Sequence, residues 1–548
     1  MKRIKFSNNS LLLSALAWLF LNVLMATLLD LNGDEAYYWM FGQHLDWGFF
    51  DHPPAIALLA KISGGIPGNH LWFRFPAILL SLATHLILGK VVLERGWSIH
   101  QFLIAWWCLP LLHLFGFVMT PDAPLLFSLA CFTWIIHKYD KGSQRVLFFL
   151  PFVLAGAVFS KYQGVLVLLL ALLPWKGFWN WKFLTATVAS IILFMPHLAW
   201  QYANDWVTFK YHLIDRTSGW AVSNTPNYLI GQLLIFHPYL LSRWVASKKP
   251  NGDVILSMGK WVIFGLLAFF LVMSFRGTVE PHWTAGAALF LPLGISAMKW
   301  KMDWRMMWVF FTMLVLGVLH AYFIVNPTLD GPFENKARMI HWNDIAKAKK
   351  VLFMNSYGDA SLYRFYTGGE AQSCNNMYGR KNQYDMWHLD AGWSGNELIL
   401  ISNYYMGTFE KTKFLGEEIT YKEYSDLTLW NKYHIRLDNS ISLPVGENFV
   451  VEAKTANLSI GDLYCPETVY PFIQFAWKNA ENEWKLCHIE LDLLDACPPS
   501  MEYQNNALRG HLPADVSAEY GYIVMSHPGL PPAICSDPIR ISASKEPK

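Results

Sequence analysis

Charge is scarce in this 548-residue chain: 15% of its residues are Asp, Glu, Lys or Arg, against a hydrophobic fraction of 53%. A soluble domain of ordinary composition carries about 25% charged residues, so this is not the composition of a soluble protein. No basic tract is present and the net charge is +2, which gives nucleic acid no electrostatic footing. A glycine-rich phosphate loop, a dinucleotide fingerprint and a nucleophile elbow are all missing. A small-x-small cleavage site after the first apolar run is missing too. The basic start Met1-Lys2-Arg3-Ile4-Lys5 therefore reads as part of a retained signal anchor rather than a removed signal peptide.

What is present is apolar sequence in long blocks. Runs at 11–29, 71–93, 101–118, 124–137, 146–160, 163–175, 182–199, 227–244, 256–275, 283–298 and 305–325 predict a polytopic α-helical membrane protein with about eleven spans. After His341 the composition becomes that of a globular domain. Lys2, Arg3 and Lys5 place the N-terminus in the cytoplasm by the positive-inside rule. Lys138, Lys141, Arg145, Lys176, Lys182, Arg243, Lys248, Lys249, Lys299, Lys301 and Arg305 then fall inside as well. Reading 146–175 as one helix would invert every later loop and put the Lys248 cluster outside. The charge rule thus predicts a break at Ser160-Lys161-Tyr162-Gln163-Gly164.

With this topology the outer-side segments are 30–70, 119–123, 160–164, 200–226, 276–282 and everything after Asn326. They hold nearly all the unusual polar residues, and that convergence is the strongest functional signal. The loop 30–70 is too long for a simple connector. Its aromatic residues (Tyr37, Tyr38, Trp39, Phe41, Trp47, Phe49, Phe50) suit helices lying in the membrane interface.

Three regions are expected: a transmembrane domain over 1–340, a small soluble α/β domain over 341–430, and a β-rich outer-side module over 431–548. The apolar runs at 351–354 and 397–401, with a helix near 360–366, carry the α/β reading; alternation as in 449–453 and 472–477 carries the β reading. Cys465, Cys487, Cys497 and Cys535 cluster in the last region, where an oxidising exterior would permit two disulfides; unpaired thiols are the competing reading.

The candidate chemistry lies on the outer side. Asp34 and Glu35 follow the first span, but neighbours on a helix point about 100° apart and cannot both face one atom. Asp34 is assigned as a partly desolvated general base and Glu35 as its support; the competing reading makes Asp34 a helix cap. Asp122, between two prolines, is either a second acid of the site or a cap. His52, Lys161, Tyr162, His212 and Arg216 face the same side, and the cations among them could stabilise a leaving phosphate or meet anionic headgroups. Asp51, His52 and His212 make a candidate divalent-metal site. Glu280 and His282 stand at a span entrance, as pocket or cap.

At these residues the chain resembles the GT-C membrane glycosyltransferases, and within them the family 39 group of polyprenyl-phosphate sugar transferases related to protein O-mannosyltransferases and lipid A aminoarabinose transferases. The resemblance is carried by Gly33-Asp34-Glu35-Ala36-Tyr37-Tyr38, Phe50-Asp51-His52-Pro53-Pro54, Thr120-Pro121-Asp122-Ala123-Pro124, Ser160-Lys161-Tyr162 and Glu280-Pro281-His282-Trp283, with Tyr384-Asp385-Met386-Trp387 in the tail, and spans about residues 1–430. It implies a bacterial inner-membrane enzyme that transfers a sugar, with inversion, from a polyprenyl phosphate donor to a lipid, glycan or protein acceptor hydroxyl. It also implies Asp34 as the catalytic carboxylate, with Asp122 in the same site. The chain departs from the aminoarabinose enzymes at the residue before the paired prolines, where they carry Lys and this chain carries His52. A transporter or flippase of lipid-linked sugars is the alternative from another class; carriers concentrate polar groups near the bilayer midplane.

Overall fold

The structure is a computed structural model. It describes residues 2–542 apart from 65, 216–221, 247–251, 299–304, 326–334, 388, 390–392, 394–395, 403–408, 415–416, 426, 428–432, 439, 458–471, 480–482, 493–502 and 527–529. The chain forms two compact units, Met1–Asn335 and Lys336–Lys548.

The first unit is helical. Its α-helices are α1 (Lys2–Leu28), α2 (Gly33–Gln43), α3 (Ala55–Ile62), α4 (His70–Glu94), α5 (Ile99–Trp107), α6 (Pro110–Leu114), α7 (Asp122–Asp140), α8 (Leu150–Ser160), α9 (Gln163–Leu172), α10 (Trp181–Ala203), α11 (Val207–Lys210), α12 (Thr225–Ile235), α13 (Pro238–Ala246), α14 (Val254–Ser274), α15 (Ala285–Ala288), α16 (Phe290–Ser296) and α17 (Met306–Val325). Four of the described helices, within α1, α4, α10 and α14, are long and apolar enough to cross a membrane. Their outward faces are apolar: Leu13, Phe20, Ile192 and Val272 are each more than half exposed, a pattern that lipid tolerates and water does not. Around α10, Trp179 and Trp181 are exposed near one end and Tyr202 at the other. That is an aromatic belt at each edge of a helix of roughly 35 Å.

Several predicted spans are not single helices. The run 101–118 breaks at Leu109-Pro110, where Leu109 takes an extended conformation (φ −99°, ψ 108°), because a proline ring disfavours the helical region for its predecessor. The run 227–244 breaks between α12 and α13, where Phe236 is extended (φ −98°, ψ 104°) two residues before Pro238. The expected break at 160–164 is present. Lys161 is extended (φ −162°, ψ 140°) between α8 and α9. A β-carbon on Gly164 would stand 2.4 Å from the Ala157 carbonyl oxygen, so only glycine lets the two helices meet this closely. The core between helices is large and aromatic, with Trp18, Phe102, Trp106, Trp244 and Phe290 at most 2% exposed.

At one end of the unit, α4, α7 and α14 are tied by charge. Arg95 Nε donates to His137 Nδ1 (3.0 Å) and Arg95 Nη2 to Asp140 (2.8 Å), while Arg95 also pairs with Asp253. Because His137 Nδ1 accepts, its proton sits on Nε2 and is donated to Glu94 (2.9 Å). The candidate residues lie at the opposite end of the same helices.

The second unit holds two sheets. After α18 (Asn335–Ala346) come β1 (Lys350–Met354), α19 (Tyr357–Thr367), β2 (Ala371–Cys374), α20 (Gln383–Met386), β3 (Leu398–Ser402), β4 (Glu410–Phe414) and β5 (Glu417–Tyr424). The order is β2-β1-β3-β5-β4, with β1 parallel to β2 and β3. The crossover helix between β1 and β2 is what a parallel pair demands. The rest is β6 (Tyr433–Leu437), β7 (Ser442–Pro444), β8 (Asn448–Asn457), β9 (Phe472–Lys478), β10 (Trp484–Asp492), β11 (Gln504–His511), β12 (Tyr520–Ser526), β13 (Ala533–Ile534) and β14 (Ile539–Ser542). They join in the order β6-β8-β11-β10-β9-β12-β14-β7, with β13 on β12. Met377, from the segment after β2, donates its N–H to Pro532 O (2.8 Å) and is buried against Ala476 and Val524. The two sheets therefore belong to one body.

The two-disulfide expectation is not met at its described members. Cys487 on β10 is a free thiol and Cys535 donates to Ala533 O (3.3 Å) from the core of the module. Cys465 and Cys497 lie outside the described residues.

Candidate active site

The site end is assembled from the outer-side segments that the sequence singles out. The helix α2 begins with a capping box: Asn32 accepts from Glu35 N (2.9 Å) and Glu35 Oε2 accepts from Asn32 N (3.3 Å). The cap is thus Asn32, and Asp34 stands beside it in the first turn with its side chain exposed. Exposure overturns the expectation of a partly desolvated Asp34. The capping box buries Glu35, its neighbour in the same turn, instead.

Glu35 is 0% exposed and fully engaged. Its Oε1 accepts from Arg74 Nε (2.8 Å) and Met119 N (3.0 Å), and its Oε2 from Arg74 Nη2 (2.6 Å) as well as Asn32 N. Arg74 gives its remaining N–H groups to carbonyls at and just beyond the end of α1: Leu29 O (2.6 Å), Ala26 O (3.3 Å) and Asp30 O (2.9 Å). All five guanidinium donors have acceptors, so a buried charge that would otherwise be costly is satisfied. This clasp fixes α2 against the loop that carries Met119, three residues before Asp122. Sequence reading missed Arg74; an arginine four residues into a mostly apolar span was the available signal.

Asp122 is not a cap. Pro121 occupies the N-cap of α7 and no side chain caps it. The Asp122 carboxylate, 3% exposed, accepts from Lys161 Nζ through both oxygens (3.0 and 2.9 Å), and Lys161 is 5% exposed. Among the described residues these are the pair's only side-chain hydrogen bonds. Next in sequence, the Tyr162 hydroxyl meets His197 Nε2 (2.8 Å) and Gln201 Nε2 (3.0 Å). His197 and Gln201, both 0% exposed, were also missed, since histidine and glutamine on a membrane helix face give no hint of their partner.

His52 Nε2 meets the Tyr38 hydroxyl (3.0 Å), and His212 Nε2 meets the Asp51 backbone carbonyl (3.1 Å). A carbonyl only accepts, so His212 Nε2 carries a proton and cannot ligate a metal there. The expected metal site of Asp51, His52 and His212 is corrected accordingly; among the described residues no cluster of His, Cys, Asp or Glu could hold a metal ion. Glu280 precedes the turn Pro281–Thr284 and makes no capping bond. The His282 ring packs edge-on to Phe115 (6.4 Å), in the segment leading to Asp122. Arg216 lies outside the described residues. Just before α11, Asp205 and Trp206 both take left-handed backbone (φ 54° and 55°), a strain of about 1–3 kcal/mol each that only the surrounding contacts sustain.

Residues 51–200 match the family model described as dolichyl-phosphate-mannose-protein mannosyltransferase. The lipid A galacturonosyltransferase RgtD of Rhizobium johnstonii is 25% identical over 197 residues, covering 33% of this chain and 41% of that protein. The crystal structure of ArnT from Cupriavidus metallidurans in the apo state superposes with a TM-score of 0.51 at 13% identity, over 76% of this chain and 98% of ArnT. The same protein bound to undecaprenyl phosphate gives 0.52, over 75% and 98%. The chain has the fold of ArnT, and four of its described helices are long and apolar enough to cross a membrane. The match to the curated relative spans less than half of that relative's length.

Proposed function

We propose that the protein is an inner-membrane glycosyltransferase that moves a sugar from a polyprenyl phosphate donor to an acceptor hydroxyl at the periplasmic face. A lipid is the preferred acceptor class, in keeping with the lipid A named for the relative; the bound undecaprenyl phosphate of the fold neighbour supports the donor class. The observation that carries the proposal is the meeting of Asp122, Lys161, Tyr162, His52 and the Asp34 turn at one end of the helices, the end away from Arg95, Lys138 and Lys182. Charge bias then places that end outside and the N-terminus and the Lys182 end inside.

In this reading the exposed Asp34 carboxylate takes the proton of the acceptor hydroxyl as its oxygen attacks the anomeric carbon. The bond to the lipid phosphate oxygen breaks on the opposite face, and the configuration inverts. The phosphate leaves with the bonding electrons, and its growing charge is met by Lys161, with Arg216 and His52 as further contacts. Glu35 touches no reactant: through Arg74 and Met119 it holds the Asp34 turn near Asp122.

The test is Asp34→Asn, which keeps shape but cannot accept a proton. Turnover with a polyprenyl phosphate sugar should fall about a hundredfold or more, while melting temperature and undecaprenyl phosphate affinity stay at wild-type values, since Asn32 does the capping. Undiminished transfer by this variant would remove Asp34 as the base.

A further inference from the structure

The outer-loop segment 47–52 is held by its backbone. The carbonyls of Trp47, Phe49 and Asp51 accept from His197 Nδ1 (2.7 Å), Thr208 Oγ1 (2.9 Å) and His212 Nε2 (3.1 Å). Their donors come from α10, α11 and the turn Tyr211–Asp215 that follows it. The Phe49 N–H closes on His52 O (3.1 Å), so His52 is the residue this arrangement sets in place.

The backbone carbonyls of Trp47 and Phe49, which only accept, give the order of the hydrogen bonds. Thr208 donates to a carbonyl, so its oxygen is the acceptor for one Gln201 N–H (2.6 Å). The other Gln201 N–H reaches the Tyr162 oxygen (3.0 Å), whose own proton must then go to His197 Nε2 (2.8 Å). That nitrogen is bare, so Nδ1 carries the hydrogen that Trp47 O accepts. The His197 imidazole thus joins the loop of His52 on one side to the turn of Lys161 and Tyr162 on the other.

We propose that His197 is a positioning residue for the transfer reaction: it sets the distance between the His52 loop and the Lys161 turn, the two elements that would grip the donor phosphate. The proposal rests on the glycosyltransferase reading, and its Tyr162 hydroxyl is a strut rather than a substrate contact. A loosened strut should matter, because misplacement of about 1 Å at a reacting centre can cost on the order of a hundredfold in rate.

The test uses the full-length protein in detergent, with undecaprenyl phosphate as binding probe, sugar transfer as activity, and hydrogen exchange over residues 44–54. His197→Ala should raise exchange in that loop, weaken undecaprenyl phosphate binding about tenfold and lower turnover further. His197→Asn offers an N–H to Trp47 O, but its amide is too short to reach the Tyr162 hydroxyl from the place of Nε2. It should restore loop protection while leaving the kinetic defect of Tyr162→Phe, and the double variant should be no worse than either single one. Wild-type loop protection, binding and turnover in His197→Ala would overturn the proposal. So would additive defects in His197→Asn/Tyr162→Phe, or activity lost only in step with melting temperature. If the wild-type protein transfers no sugar yet His197→Ala frees the loop, the clasp stands and the catalytic reading falls.

Discussion

Two buried ion pairs sit at the same end of the helical unit and differ in one respect. Around Glu35 and Arg74, where α1, α2 and α4 meet, every donor of the guanidinium is taken and both carboxylate oxygens accept twice. Around Asp122 and Lys161, where α7, α8 and α9 meet, the two side chains bond only each other among the described residues, although both are as deeply buried. An ammonium has three protons and a carboxylate about four acceptor sites, so the second pair keeps capacity for a ligand and the first keeps none. Burial therefore does not separate scaffold from chemistry here; the filling of hydrogen-bond capacity does.

The largest effect should come from opening the closed pair. Arg74→Ala leaves Glu35 buried without a countercharge and takes a donor from the carbonyls of Ala26, Leu29 and Asp30, a loss of about 3–5 kcal/mol. The protein should lose most of its folded yield, and Arg74→Lys should recover little, since a point charge cannot reach five acceptors. A melting temperature within a few degrees of wild type for Arg74→Ala would break the distinction.

The open pair should respond differently. Lys161→Ala strands Asp122, and adding Asp122→Asn removes that stranded charge. The double variant should regain stability yet still bind undecaprenyl phosphate more weakly by about 1.5–3 kcal/mol, the value of a lost charged hydrogen-bond partner. Wild-type affinity in that variant, measured by titration in detergent, would return Lys161 to a structural role.

The smallest effect sharpens the contrast at Asp34. Asn32→Ala removes the capping side chain of α2 at a cost of about 1 kcal/mol. Thermal unfolding should show that modest loss, and transfer should fall only as far as the Asp34 turn frays. Asp34→Asn should do the reverse, leaving stability and removing turnover.

Part of this protein is determined by local sequence. Long apolar runs become helices because no other element satisfies its backbone within lipid, and prolines at 110 and 238 cut two of those runs by steric rules that act between neighbours. The break at Lys161 was legible because it alone keeps the basic loops on one side. The gathering of Asp34, Asp122, Lys161 and His52 at one end is what the expected alternation of spans implies. What the sequence could not give was partnership across distance. Arg74 meets Glu35 across 39 positions and His197 meets Trp47 across 150, and no periodicity encodes which buried donor finds which carbonyl. Nor could it decide that Asn32 caps α2, that Asp34 is exposed, or that His212 gives its proton to a backbone carbonyl instead of its lone pair to a metal. Those outcomes depend on competition among several local candidates for the same acceptor, and only the packed tertiary structure resolves that competition.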